Sequence, residues 1–373
     1  MTNKDQFGYY MVGDYKTYSK IEAIEIHAKS GVHPTWHFNE SVFSQLNWTV
    51  EPEQSIEELY RIRAQQIRDR YDYIVLFYSG GADSQNMLNS FVRNGIHVDE
   101  VASFWALEGD RDTGSHFSSE IHTVAIPHML TLSNVKHRVI DLTQMITEIY
   151  TDPDRKFEFL YDMNSMFSPN NYARSLLRER VRDYQDIIAS GKRLCFVYGS
   201  EKPRTFFENG RYCVRFLDVV DNCVSARTQR LNRDWEHDEL FYWSADLPQL
   251  IAKQGHLVKN YLRSGNVNPA EFSTTTKQRS FGSIQSNNST HYLISQGLHR
   301  VVYGLHNTYN LKPSSNWFSE RDKWFLNNPH QLTGSQNYVN GIDKLKTLLP
   351  EYWTNGGFSG GIKGCVSPAY WLE

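Results

Sequence analysis

Residues 73–84 read Tyr73-Ile74-Val75-Leu76-Phe77-Tyr78-Ser79-Gly80-Gly81-Ala82-Asp83-Ser84. The unbroken apolar run has the length of a buried strand, and a Gly-Gly turn follows at once. Residues 83–94 then carry Met87, Leu88, Phe91 and Val92 at helical spacing, with Gly95 in the stop position. The two glycines let the backbone turn sharply and present consecutive N–H groups with no Cβ in the way. Those groups, the Ser79 and Ser84 hydroxyls and the positive end of the following helix form a cradle for an anion. Asp83 is a poor partner for bare phosphate, but it suits the first turn of a helix and can meet phosphates through Mg²⁺. A tight turn with Asp83 as a helix cap is the bland alternative. With two glycines, two serines and an acid standing between a strand and a helix in that order, the functional reading is favoured.

Working outward, residues 19–29 and 55–70 have helical patterns. In the second of these, Ile56, Leu59, Tyr60 and Ile67 form an apolar stripe that Arg63 interrupts, and Arg61, Arg68 and Arg70 mark the polar side. Strand signals recur at 98–105, 137–142 and 194–198. Helical ones lie between them at 118–132, with a break expected at Pro127, and at 172–189. Such alternation predicts an α/β fold, a mostly parallel sheet with helices on both faces. Ligands of such sheets sit at the carboxyl ends of the strands, which directs attention to the loops after Tyr78, Trp105 and Tyr198. From about residue 245 the pattern changes: 247–263 is helical, 274–288 polar, and the tail from 307 rich in Asn, Ser, Trp and Gly. Three segments follow: an N-terminal extension (1–52), the α/β domain (53–245) and a mostly helical and irregular C-terminal region (246–373).

Composition narrows the class. At 373 residues, with 40% hydrophobic and 22% charged residues, the chain is neither disordered nor collagenous. A formal charge of −3 argues against a strongly basic nucleic-acid coat. No stretch reaches the roughly 18 apolar residues of a bilayer span, and Met1–Gln6 has no apolar run behind its one cation, so neither membrane nor secretory signal is expected. Cys195, Cys213, Cys223 and Cys365 show no zinc spacing and are too sparse for a disulfide scaffold, so a reducing, cytoplasmic compartment is expected. Aromatics reach 14%, enough to build interfaces or a substrate pocket, and a homo-oligomer is consistent with them.

Ser79-Gly80-Gly81-Ala82-Asp83-Ser84 resembles the SGGxDS signature of the PP-loop, or N-type ATP pyrophosphatase, superfamily. That superfamily includes the synthetase domain of asparagine synthetase, GMP synthetase, argininosuccinate synthetase, tRNA-thiolating enzymes and the 7-cyano-7-deazaguanine synthases. The chain is also similar to PP-loop proteins of tailed phages, from 60–64 through the loop to 253–256, which would place it in a host cytoplasm. The glycines are not followed by the Gly-Lys-Ser/Thr of a Walker A loop. The resemblance implies ATP and Mg²⁺ as cofactors, and cleavage between the α- and β-phosphates. AMP would pass to a substrate carbonyl or carboxylate oxygen, and an amine, ammonia or sulfur nucleophile would then displace it. It also implies that residues 79–84 hold the pyrophosphate and that adenine sits at the end of the second strand, at Phe104 and Trp105.

The loop after Tyr198 lies at the same predicted sheet edge and carries further candidates. Lys202 and Arg204 can neutralise the β- and γ-phosphates, and Glu201 can share Mg²⁺ with Asp83; a solvated polar loop is the alternative. Lys253 and His256, three apart on one helical face, can contact an acidic substrate or the α-phosphate, although a solvated face is the commoner meaning. Arg174, Arg178 and Arg182 read as a solvated flank, and Pro34 between His33 and His37 argues against a metal pair there. Trp317 and the stretch 318–321 are aromatic and polar enough to line a pocket.

Absences count as well. Residue 2 is threonine and no cysteine precedes Cys195, so the N-terminal cysteine nucleophile of the glutaminase-linked relatives is missing. Paired catalytic cysteines and zinc ribbons of the thiolating enzymes are not visible. Cys365 matches poorly the cysteine motif of sulfonucleotide reductases, the rival of the same fold; a non-catalytic nucleotide-binding module is the rival of another class. A small-molecule substrate is favoured, with tRNA or DNA left open.

Overall fold

A computed structural model of the chain describes residues 4–105, 121–145, 148, 176–199, 203–216, 218, 237–264, 291–293, 299–303, 365–373 and isolated positions between 336 and 362. In chain order the N-terminal part gives β1 (Tyr9–Val12), β2 (Tyr15–Thr17), α1 (Lys20–Ser30), β3 (Thr35–His37) and α2 (Glu40–Phe43). The next part gives α3 (Ile56–Arg70), β4 (Tyr73–Phe77), α4 (Ala82–Val92), β5 (Glu100–Trp105), α5 (Ile126–Leu130), β6 (His137–Asp141), α6 (Leu177–Arg180), α7 (Arg182–Ala189) and β7 (Leu194–Tyr198). Then follow β8 (Arg204–Glu208), β9 (Arg211–Arg215), β10 (His237–Leu240), α8 (Pro248–Arg263), β11 (His291–Leu293) and α9 (His299–Val302). Short strands β12 (Trp353–Thr354), β13 (Gly361–Ile362) and β14 (Tyr370–Trp371) complete the order.

The central sheet has five strands in the order β10-β7-β4-β5-β6, every neighbouring pair parallel. Successive side chains on a strand point to opposite faces, so a strand buried at every position is covered on both sides. β7 is buried throughout and β4 at every position but its first. The fold is thus the doubly covered α/β type that the alternating pattern predicts.

Local chemistry explains the helix ends. Ser19 and Ser55 sit at extended N-cap positions and their hydroxyls accept from the Glu22 and Glu58 amides, with acids in both first turns. Two helical expectations change in detail. Within the described part of the expected 172–189 helix, residues 176–189, Val181 adopts extended dihedrals (φ −92°, ψ 111°) and separates α6 from α7; 172–175 lie outside the described residues. Pro127 sits in the first turn of α5 rather than breaking it, because that turn needs no proline amide; a π-helical turn, Ile121–Ala125, precedes it.

The outlying segments are woven into the middle one. The N-terminal sheet runs β2-β1-β3, antiparallel. Tyr10 donates to Asp218 Oδ2 at 2.7 Å and Lys20 Nζ lies 2.6 Å from the same oxygen, the lysine and carboxylate both fully enclosed. A second sheet, β11-β8-β9-β14, joins residues from 204 to 371. Phe38, Phe43, Phe216, Trp243, Trp48 and Tyr370 interlock ring against ring, so much of the aromatic content joins these segments together. Among the described residues no helix is long and apolar enough to cross a membrane.

Candidate functional site

From β4 the chain passes through α4 to β5 and then β6 on one side; β7 returns to the other flank of β4 and β10 lies beyond it. The strand order therefore reverses between β4 and β7. At such a switch point the connections leave in opposite directions and open a crevice at the carboxyl ends of the strands. The loops that follow β4 and β7 lie on that edge.

The turn after β4 is built as its sequence requires. Gly80 has φ 77°, a left-handed conformation that side chains disfavour, and a Cβ there would come within 3.1 Å of Val124 Cβ. Gly81 is the N-cap of α4 and offers no side chain to its first amides. Gly199, just past β7, lies so close that a Cβ would stand 3.0 Å from Ser84 Cα and 3.1 Å from the Met87 thioether. Glycine at 199 thus lets the end of β7 meet the first turn of α4. Ser103 Oγ of β5 donates to the Tyr78 carbonyl at 2.7 Å and pins the other side.

The two serines divide their roles. Ser84 is buried; its hydroxyl accepts from the Ser79 amide at 3.3 Å and donates to the Gly81 carbonyl at 3.0 Å. It closes the turn on itself, whereas the sequence suggested a donor to an anion. Ser79 is the exposed point of the turn, with Gly80, Gly81 and Ala82 buried behind it.

Asp83 is half-buried and gripped from two sides. Tyr303 donates to its Oδ1, and Tyr242 donates to its main-chain carbonyl at 2.7 Å. Burial pushes both phenols well above the usual tyrosine range, which keeps them protonated donors. Neither tyrosine carries a sequence signal; only the fold brings residues 242 and 303 to the loop. Tyr78 and His128 form a further pair beside the turn, Oη to Nδ1 at 2.6 Å, and burial lowers the His128 pKa.

The other candidates are distributed as follows. Phe104 is buried with its ring edge-on to Phe77, centroids 4.8 Å apart, so its side chain belongs to the core. Trp105 ends β5 at the same sheet edge. Arg204 opens β8 and is buried, in register with Arg215 of β9. Glu201 and Lys202 lie outside the described residues, as do Trp317, Phe318, Ser319, Glu320, Arg321, Arg174 and Cys223.

Lys253 and His256 take other partners. Lys253 Nζ donates to Glu51 Oε1 at 2.8 Å and to the Pro52 carbonyl at 3.0 Å; His256 is buried with Nε2 2.9 Å from the Trp48 carbonyl. Both fasten α8 to residues 48–52 rather than face a substrate. Arg178, expected on a solvated flank, is buried, 2.7 Å from Asp238 and 4.0 Å from the Phe196 ring centroid.

Fold and loop together define a doubly wound parallel α/β domain with a glycine turn at its switch point. No protein-family model matches the chain, and no curated protein matches it. Solved structures do. An NMN synthetase from Francisella tularensis is 11% identical with TM-score 0.27 over 38% of this chain. An NAD+ synthetase from Burkholderia pseudomallei is 13% identical with TM-score 0.24 over 43% of it. This chain spans only 54% and 58% of those two proteins. A U34-tRNA thiolase, NcsA, from Methanococcus maripaludis with its [4Fe-4S] cluster is 12% identical with TM-score 0.27, over 89% of both chains. Likeness of this size leaves the strand order and the loop as the ground for the fold, and the phage resemblance finds no support among these matches.

Proposed function

We propose that the crevice between β4 and β7 binds ATP and that the chain is an AMP-forming ATP pyrophosphatase. One observation carries this reading: a glycine turn, left-handed at Gly80, stands at the switch point of a parallel sheet, against the glycine-capped N-terminus of α4. Amides and the helix dipole there favour an anion, and a long phosphate tail can reach them past Ser79.

In the reaction a substrate carbonyl or carboxylate oxygen attacks the α-phosphorus. The bond from that phosphorus to the α–β bridging oxygen breaks, and pyrophosphate leaves with the electron pair. An amine, ammonia or sulfur nucleophile then attacks the activated carbon, and AMP departs with the oxygen. The chain's own part is positioning and charge neutralisation. The first-turn amides of α4 hold the departing pyrophosphate, and Lys202 and Arg204 share its charge. Mg²⁺ is commonly held by one or two carboxylates plus substrate phosphates, which suits a loop whose single acid is Asp83; Glu201 would assist. When bound, the cation supplies further neutralisation of the phosphates. A small molecule is the substrate class favoured by the slight negative charge.

The sulfonucleotide-reductase alternative requires a reactive thiol at Cys365. Burial pushes that thiol up to about 12, and its amide donates to Asp218 Oδ1 at 2.6 Å, which suits a structural cysteine.

Incubation with α-labelled ATP and Mg²⁺ across a panel of metabolites, tRNA and DNA tests the proposal. AMP and pyrophosphate are the expected products, reduced to background in Asp83→Asn. ADP and phosphate as sole products would overturn it.

A further inference from the structure

Segments far apart in the sequence converge on one loop residue. Tyr242, just past β10, donates to the Asp83 carbonyl and accepts from Asn86 Nδ2 at 3.1 Å. Tyr303, at the end of α9, donates to Asp83 Oδ1. Its neighbour Val302 is held in turn: Tyr60 of α3 donates to the Val302 carbonyl at 2.5 Å and accepts from Gln254 Nε2 of α8 at 2.8 Å. The Tyr242 and Tyr303 rings lie 5.8 Å apart, each packed against Tyr60.

A buried phenol must find an acceptor, and packing alone would explain a bond to any convenient carbonyl. The partners found here are more specific. The main-chain carbonyl of Asp83 already lies within the hydrogen-bonding pattern of α4, so Tyr242 adds a second donor to it. Tyr303 reaches the carboxylate itself, the only acid of residues 79–84. A hydrogen bond to one carboxylate oxygen fixes the side-chain rotamer.

We propose that Tyr303 and Tyr242 are positioning residues of the nucleotide loop, holding the carboxylate and the main chain of Asp83 in one orientation, so that one residue of the C-terminal region, Tyr303, helps complete the site. The inference rests on the ATP reading. On this view the two tyrosines hold the cation-binding carboxylate already aimed, as hydrogen-bonded partners do for ligating carboxylates in metal sites.

Tyr303→Phe keeps the ring and removes only the hydroxyl. The full-length chain, wild type and variant, is titrated calorimetrically with ATP, with Mg²⁺ and with EDTA, and both are melted. The expected result is an unchanged melt, an affinity with Mg²⁺ reduced about tenfold or more, and no change in EDTA. In an Asp83→Asn background the same substitution should cost nothing further, because the two residues act as a unit. An equal loss in that background, no loss in the wild-type background, or loss of the cooperative melt would each overturn the inference. A wild-type chain that binds no ATP sinks the ATP reading instead, which separates the two failures. Tyr242→Phe loses the bond to the main chain, which Asp83→Asn keeps, so its loss should persist in that background.

Discussion

Arg63 and Glu239 form an ion pair inside the protein: Nη2 lies 2.6 Å from Oε2, and the arginine side chain has no exposed surface. Its Nε also donates to the Phe241 carbonyl at 3.3 Å and its Nη2 to that of Leu240 at 3.2 Å. Arg70 and Tyr71 reach the other carboxylate oxygen at 2.9 and 2.6 Å. The charge that interrupts the apolar stripe of α3 is thus the joint between that helix and β10, whose end leads directly to Tyr242.

Arg63→Ala should therefore destabilise the chain by about 3–5 kcal/mol, the usual result of removing one partner of a buried pair and leaving the other enclosed. Urea unfolding followed by tryptophan fluorescence measures it. A change near zero would mean that Arg70 and Tyr71 suffice to hold Glu239.

The glycines of the crevice give a second test. Gly80→Ala forces a left-handed alanine, a cost of about 1–2 kcal/mol, and crowds Val124. Gly199→Ala presses on Ser84 and Met87, a cost of about 1–3 kcal/mol. Both should also weaken ATP binding by distorting the turn. Gly95→Ala is the control: its φ is 65°, but a Cβ there meets nothing within 4 Å, so it should lose stability and keep ATP affinity. Calorimetric titration of the three variants separates strain from site damage.

His256 makes stability depend on pH. Burial lowers its pKa below the ordinary value near 6.5; Lys259 and Lys253 act the same way, opposed by the Trp48 carbonyl and Glu51. A folded-state pKa below the unfolded one gives stability that is complete above the unfolded pKa and is lost as pH falls through the folded value. His256→Phe, which fills the space without the donor, should cost about 1 kcal/mol at pH 8, the worth of one hydrogen bond, and the gap to wild type should narrow by pH 5. Thermal melts across that range follow the gap; a constant gap would show that the imidazole does not titrate with folding.

Cys365 should resist chemistry that its rivals would require. With the thiol pushed up to about 12, iodoacetamide at pH 7.5 should leave it unmodified in the native chain and label it in urea, read by peptide mass. Cys365→Ser should cleave ATP at the wild-type rate. Rapid native labelling together with loss of turnover would restore the reductase reading.

Much of the sheet was legible because its cues are local. Strands β4, β5, β6 and β7 announce themselves as apolar runs, and the serine caps and glycine stops of the helices act within a few residues. The β8–β9 hairpin was also within reach: Asn209 and Gly210, both at positive φ, are the favoured pair for such a turn. The fifth sheet strand was not. His237-Asp238-Glu239 looks like a polar loop, and it becomes a buried strand because Arg178 and Arg63 neutralise its acids.

By itself the sequence determined the strand–turn–helix at residues 73–92 and the alternation that makes a parallel sheet, since backbone sterics and apolar spacing are properties of neighbouring residues. Tertiary structure alone decided where the charges and phenols go. Lys253 and His256 became fasteners for residues 48–52, and Tyr242 and Tyr303 came to hold Asp83. The physical reason is that a buried polar group must find its partner in space, at a distance along the chain that no local pattern encodes.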